Sequence, residues 1–180
     1  GVPWQGGETV STSIGQSFVL VTPLQVATFV SAVFNGGHVY RPQVTRWVRK
    51  PGGESISEFT PQLIGDVKIK PEYLELVKYA LSGAVNHPRG TGSKARLADI
   101  KVAGKTGTAQ VVNLKKEKDA KAKGEVPWKY RDHAWFVAVA PVDAPRITVA
   151  VLVEHGGHGG SAAAPIAKTL IEAYLRLPVD

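Results

Sequence analysis

The 180-residue chain is 43% hydrophobic and 21% charged, which suits one domain with a buried core and excludes wholesale disorder. It has no Cys, which excludes disulfides, thiol catalysis and Cys-ligated metals, and no Met, so it is expected to be a piece of a longer protein. The net charge of +7 favours anionic partners, and the longest apolar run, Ala134 to Val142, is far short of the ~20 residues of a membrane-spanning helix.

Residues 1–21 are rich in Gly, Ser and Thr and read as an irregular lead-in. A helix then opens on Thr22 as N-cap, with Pro23 at the first helical position and Gln25 completing a capping box. Leu24, Ala27, Val30 and Phe34 follow at helical spacing, widened by Val26, Phe29 and Val33, so this helix is expected to be buried. Gly36-Gly37 ends it. Residues 38–50 alternate loosely and predict a short strand or extended arm, closed by a turn at Pro51-Gly52-Gly53. A second helix is predicted from Pro71, with Tyr73, Leu74, Val77, Ala80, Leu81, Ala84 and Val85 on its apolar side. The loop Asn86–Gly92 stops it.

The period then changes. Ile100–Val112, His133–Val142 and Ile147–Glu154 read as strands, the last two joined as an antiparallel hairpin through Asp143-Ala144-Pro145-Arg146. Between them, Asn113–Asp132 carries six Lys and one Arg against four acids. Its basic residues are interleaved with acidic ones and no aromatic ladder accompanies them, so it reads as a solvated loop and not as a nucleic-acid surface. A Gly-rich turn, His155–Gly160, leads into a final helix with Ile166, Leu170, Ile171, Tyr174 and Leu177 expected on its inner face. Pro165 is placed in its first turn. The fold class is α+β: mostly antiparallel strands with helices packed on the faces. Three strands are few for this length, so the sheet is expected to continue in chain outside the sequence.

One segment carries chemistry: Val102-Ala103-Gly104-Lys105-Thr106-Gly107-Thr108-Ala109. A phosphate-binding loop is rejected, because Asp99 occupies the position where that motif needs Gly and a β-type run follows where a helix should open. The alternative is the Lys-Thr-Gly element of serine penicillin-recognising enzymes. A strand edge can pair with an extended peptide. Gly107 lets a backbone come close, Lys105 supplies a fixed positive charge, and Thr106 and Thr108 supply hydroxyl donors for a carboxylate. A backbone N–H of the same strand can face a developing oxyanion. The other candidates are weaker. His155 and His158 are read as turn residues and not as a metal pair. His133 is read as a satisfied strand-end polar residue. Arg89 and Thr91 are candidates for the border of the cleft, and Trp135 and Phe136 for core or cleft wall.

The neighbours of the triplet fix a family. Gly7-Glu8-Thr9, Ser13-Ile14-Gly15-Gln16, Thr22-Pro23-Leu24-Gln25, Asn35-Gly36-Gly37, Tyr40-Arg41-Pro42, Gly104–Val111 and His133-Ala134-Trp135-Phe136 stand in the order and approximate spacing of class B penicillin-binding proteins. The chain resembles the elongation-type transpeptidases of that family along essentially its whole length. Ser17, where Gly often follows the Gly-Gln pair, and Val139, where an aromatic is common, depart from the pattern.

The resemblance implies that residues 1–180 are the C-terminal portion of a penicillin-binding, serine β-lactamase-like domain whose nucleophile-bearing part is absent. It implies a peptidoglycan D,D-transpeptidase at the periplasmic side of the inner membrane, without cofactor or metal. Its expected partners are a stem peptide ending in D-Ala-D-Ala, β-lactams, the upstream half of the same domain and cell-wall elongation proteins. By position, Lys105, Thr106, Gly107 and Thr108 would bind substrate, and the Thr108 N–H would be the oxyanion donor. Ser-x-x-Lys and Ser-x-Asn, which the family carries upstream, do not occur in the sequence, so this piece cannot acylate alone. A non-catalytic module keeping the fold for recognition or scaffolding is the alternative.

Overall fold

The computed structural model describes residues 3–16, 18–111 and 126–176. Four helices and seven strands are found among them: α1 (Gly6–Ser13), α2 (Pro23–Phe34), β1 (His38–Tyr40), β2 (Trp47–Arg49), β3 (Ser55–Glu58), β4 (Leu63–Asp66), α3 (Pro71–Asn86), β5 (Ala103–Ala109), β6 (His133–Ala140), β7 (Ile147–Val153) and α4 (Gly159–Arg176). The central sheet has the order β5-β6-β7 and is antiparallel throughout. The expected α+β class and the β6–β7 hairpin are both present. Val112, Leu177, Ser17 and most of the basic segment lie outside the described residues.

Strand alternation assigns each face of the sheet its own helices. On one face Ala134, Phe136 and Ala138 pack with Val149 and Val151 against Ala163, Ala164, Ala167 and Ile171 of α4 and Val85 at the end of α3. On the other, Val137, Val139 and Ala103 meet Val30, Val33 and Phe34 of α2 and Leu74 of α3. The strands are therefore apolar on both sides, which is why β6 reads as one nearly continuous apolar run.

Thr22 caps α2 as its sequence requires: its Oγ1 accepts from the Gln25 N–H at 3.2 Å, and Gln25 Oε1 accepts from the Thr22 N–H at 2.8 Å. The expectation that α2 is buried holds for one side only. Leu24 and Phe29 are each 59% exposed and line an apolar depression with Val39, Pro42 and Val67. Composition reported hydrophobicity all round the helix, but the sheet covers only one stripe of it.

Four further differences have physical causes. The lead-in is partly helical: α1 forms although it buries none of its residues, held at its start by the Glu8 carboxylate accepting from the Gln5 N–H at 2.7 Å. A helix without an apolar stripe leaves no periodic signal. Residues 38–66 form two antiparallel pairs, β1 with β4 and β2 with β3, the second turning at Pro51-Gly52-Gly53. Only the first part of this arm was anticipated, since β3 and β4 are short and largely exposed.

The inner face of α4 is also different. Ile171 is buried as expected, but its inner neighbours are the small residues Ala163, Ala164 and Ala167, while Ile166, Leu170 and Tyr174 are 44%, 47% and 42% exposed. Alanines let the helix sit close to the sheet, and closeness outweighs side-chain size. Pro165 falls in the second turn, not the first, where its missing N–H removes one helical bond.

The end of α3 is tied to the site strand by Asn86, whose Nδ2 donates to the Ser82 carbonyl and to the Val102 carbonyl, both at 2.8 Å. Arg96 donates to the Val85 and His87 carbonyls, satisfying the helix end. Asn86→Ala removes these bonds and deprives the buried Val102 carbonyl of its Asn86 donor, at a cost of roughly 1–3 kcal/mol. A urea titration reads this as a lower midpoint, and an unchanged midpoint would show that Asn86 contributes nothing to the tie.

Candidate active site

β5 is an edge strand of the sheet among the described residues, and its register with β6 runs Lys105↔Val137, Thr106↔Phe136, Gly107↔Trp135, Thr108↔Ala134. Paired residues share a face, so Thr106 and Thr108 present their side chains on the α4 side and Lys105 on the α2 side. On the α2 side lies a cavity of about 370 Å³, walled by Lys105, Thr108, Gln16, Leu20, Trp135 and Leu152 among others. On the α4 side Thr106 and Thr108 border a second depression with Thr91, Ser93, Lys94 and Ser161. The strand separates the two.

The backbone of β5 alternates as well. The Thr108 carbonyl accepts from Gln16 Nε2 at 2.8 Å, and the Thr106 carbonyl accepts from Lys105 Nζ at 2.7 Å. Both carbonyls therefore point away from β6. In an antiparallel strand the N–H and C=O of one residue point to the same side, so the Thr108 N–H also lies on the free edge. Lys105 is exposed, while Thr106, Gly107 and Thr108 are half-buried.

Close backbone approach fixes where this edge stands. A Cβ on Gly159, at the start of α4, would meet the Trp135 carbonyl oxygen at 2.0 Å and the Gly107 carbonyl oxygen at 2.6 Å. One on Gly160 would meet the Thr91 carbonyl oxygen at 2.4 Å. Helix α4 thus starts directly on the backbone of the Lys-Thr-Gly segment. Gly107 itself faces Trp135, whose Cβ stands 3.0 Å from the point where a Gly107 Cβ would be. A side chain at Gly107 would require Trp135 to give by a few tenths of an ångström.

Of the border candidates, Thr91 reaches the site: its Oγ1 is 3.0 Å from Thr106 Oγ1. Arg89 lies instead beside a shallow depression at the end of α3. Trp135 walls the cavity, and Phe136 is fully buried in the core. His133 Nδ1 accepts from the His155 N–H at 2.9 Å, and His155 Nδ1 lies 3.0 Å from the Arg131 carbonyl oxygen. These two histidines hold the turn after β7 against the start of β6, where the His155 ring also packs on Trp128 with centroids 4.1 Å apart. Gln16 was legible as part of a Gly-Gln pair but carried no assigned contact, because its partner is 92 residues away.

This edge, with Lys-Thr-Gly-Thr along it and helices on both sides of its sheet, meets a family match over nearly the whole chain. The family model of the penicillin binding protein transpeptidase domain matches residues 2–172. The chain belongs to that family. A peptidoglycan D,D-transpeptidase MrdA of Haemophilus influenzae is 39% identical over 180 residues, 98% of this chain and 27% of the relative. The chain thus spans about a quarter of the length of that curated relative.

Among solved structures, penicillin-binding protein A of Mycobacterium tuberculosis, as a ceftriaxone acyl-enzyme complex, matches with a TM-score of 0.76 at 32% identity, over 92% of this chain and 35% of its own. Penicillin-binding protein 2 of Helicobacter pylori, in complex with MreC, matches with a TM-score of 0.69 at 28% identity, over 96% of this chain and 28% of its own. The fold is that of a penicillin-binding transpeptidase domain.

Two glycines, one inside the contact of α4 with β5 and one outside it, should respond oppositely to an added methyl group. Gly159→Ala overpacks the junction and is expected to cost about 1–3 kcal/mol. Gly83→Ala, with nothing within 4 Å of its Cβ and a helical position in α3, should stabilise by about 0.5–1 kcal/mol. Thermal or urea unfolding of the two variants separates the cases; equal effects would remove the packing argument.

Proposed function

We propose that residues 1–180 are the C-terminal portion of a transpeptidase domain whose nucleophile-bearing part lies elsewhere in a longer protein, and that this protein is a peptidoglycan D,D-transpeptidase. The observation that carries the reading is the free edge of β5, with an outward Thr108 N–H, a Lys ammonium on one side and Thr hydroxyls on the other.

In the reaction, a serine Oγ gives its proton to a base and attacks the carbonyl carbon of the penultimate D-Ala of a stem peptide. The C–N bond to the terminal D-Ala breaks, and that residue leaves as a protonated amine. An amine from a second stem peptide then attacks the acyl ester, forming the cross-link and returning the proton to the serine. During both attacks the carbonyl oxygen becomes an oxyanion. The Thr108 N–H supplies one donor to it, a contribution worth ~10²–10³ in rate where single donors are removed from comparable sites. The substrate's terminal carboxylate is held at the free edge, which Lys105 Nζ reaches beside the Thr106 carbonyl. Lys105, Thr106 and Thr108 hold it through charge-assisted hydrogen bonds, while the substrate backbone pairs along the strand edge beside Gly107.

β-Lactams are acylating ligands of the same site, in keeping with the acyl-enzyme state of the Mycobacterium tuberculosis neighbour. A cell-wall elongation protein is a partner, in keeping with the MreC complex of the Helicobacter pylori neighbour. The place of action is the periplasmic side of the inner membrane. Among the described residues no helix is long and apolar enough to cross a membrane, so an anchor would belong to another part of the protein.

Two measurements test the reading. The isolated 180-residue chain should stay unlabelled by a fluorescent penicillin, whereas the full-length protein is labelled at a Ser-x-x-Lys serine upstream. Labelling of the isolated chain, or a parent sequence lacking both Ser-x-x-Lys and Ser-x-Asn, would sink the enzymatic assignment, and in the second case leave a non-catalytic module. In the full-length protein, Lys105→Ala should slow acylation about 10- to 100-fold, since charge-assisted hydrogen bonds are worth ~1.5–3 kcal/mol and each 1.36 kcal/mol is a factor of ten. Lys105 is exposed, so its melting temperature should barely move. Near-normal acylation would remove Lys105 from the site.

A further inference from the structure

We infer that Gln16 is a positioning residue for the site strand, holding the free edge of β5 in the geometry that the reaction uses; the inference rests on the transpeptidase reading above. Gln16 lies in the stretch after α1, and its Nε2 donates to the Thr108 carbonyl at 2.8 Å. Ile14, Val19, Leu20 and Val21 of the same stretch line the cavity beside β5 with apolar side chains. Among the described residues, the Gln16 amide is the one hydrogen bond found between that stretch and β5.

The chemistry of the contact is particular. An edge carbonyl with no strand beside it is free to tilt, and with it the peptide plane that follows Thr108. The Gln16 amide occupies the place a neighbouring strand would take: it offers an N–H to the carbonyl, as a peptide group does. Gln16 also lines the cavity beside β5. A side chain that fixes the Thr108 carbonyl also restrains the rotation that would swing the Thr108 N–H off the oxyanion. Glu has the same size but no donor, and Ala lacks the reach. The residue type thus follows from the bond it makes.

The test uses Gln16→Glu and Gln16→Ala in the full-length protein. Stopped-flow acylation by a fluorescent penicillin separates the first, non-covalent affinity from the acylation rate constant. A misplaced donor costs rate more than affinity, so both variants should acylate about tenfold more slowly or worse, with affinity and melting temperature little changed. Hydrogen exchange gives a readout independent of activity: the amides of residues 103–109 should exchange faster in both variants, while those of the β6–β7 hairpin stay as protected as before. Acylation at the original rate in both variants, or unchanged exchange in β5, overturns the inference. If the unmodified protein itself fails to acylate, the transpeptidase reading falls, and the exchange measurement still decides whether Gln16 holds the strand.

Discussion

Everything in the site depends on a contact with no side chain in it. The start of α4 lies on the backbone of Gly107 and Trp135, so close that a single methyl group on Gly159 would strike two carbonyl oxygens. From there α4 continues over the sheet on alanines, Ala163, Ala164 and Ala167, which are fully buried. Close-packed interiors do not accommodate even one added methylene without strain. The position of β5 is therefore set from behind, by backbone against backbone, which leaves its front edge free for other use.

That division explains why the strand can be both buried and available. Ala103 and Gly104 are buried, β6 supplies the ladder on one side, and helices close both faces. What remains open is one row of N–H and C=O groups. Proteins usually blunt such a row, because it is a template for unwanted strand pairing. Here Lys105 and Gln16 occupy the two outward carbonyls of Thr106 and Thr108. The edge is covered by side chains and not by another strand.

The sequence disclosed what is local. Thr22, Pro23 and Gln25 specified the start of α2 through bonds within four residues, and all of them form. The hairpin at Asp143–Arg146 and the β-type period of β5 to β7 were equally legible, as was the Lys-Thr-Gly-Thr segment on its strand. What escaped depends on distance or on absence of pattern. Helix α1 has no apolar stripe to announce it. The inner face of α4 was assigned to Ile166, Leu170 and Tyr174 because large residues usually face inward, whereas the approach of the helix to the sheet selects Ala163, Ala164 and Ala167. Gln16 meets Thr108 across 92 residues, and no spacing rule reaches that far.

The alternation of β5 has one more implication. Lys105 stands on one face of the sheet, the Thr106 and Thr108 hydroxyls on the other, and the Thr108 N–H on the edge between them. These are three chemically different groups in three directions, a cation, hydroxyls and an amide hydrogen. Reflection of a ligand exchanges the two faces but leaves the edge in place. With β6 on one side and helices over both faces, only the edge is open to approach. A molecule that met all three groups at once could not also meet them as its mirror image, and the order of charged and hydroxyl side chains along the strand would discriminate handedness.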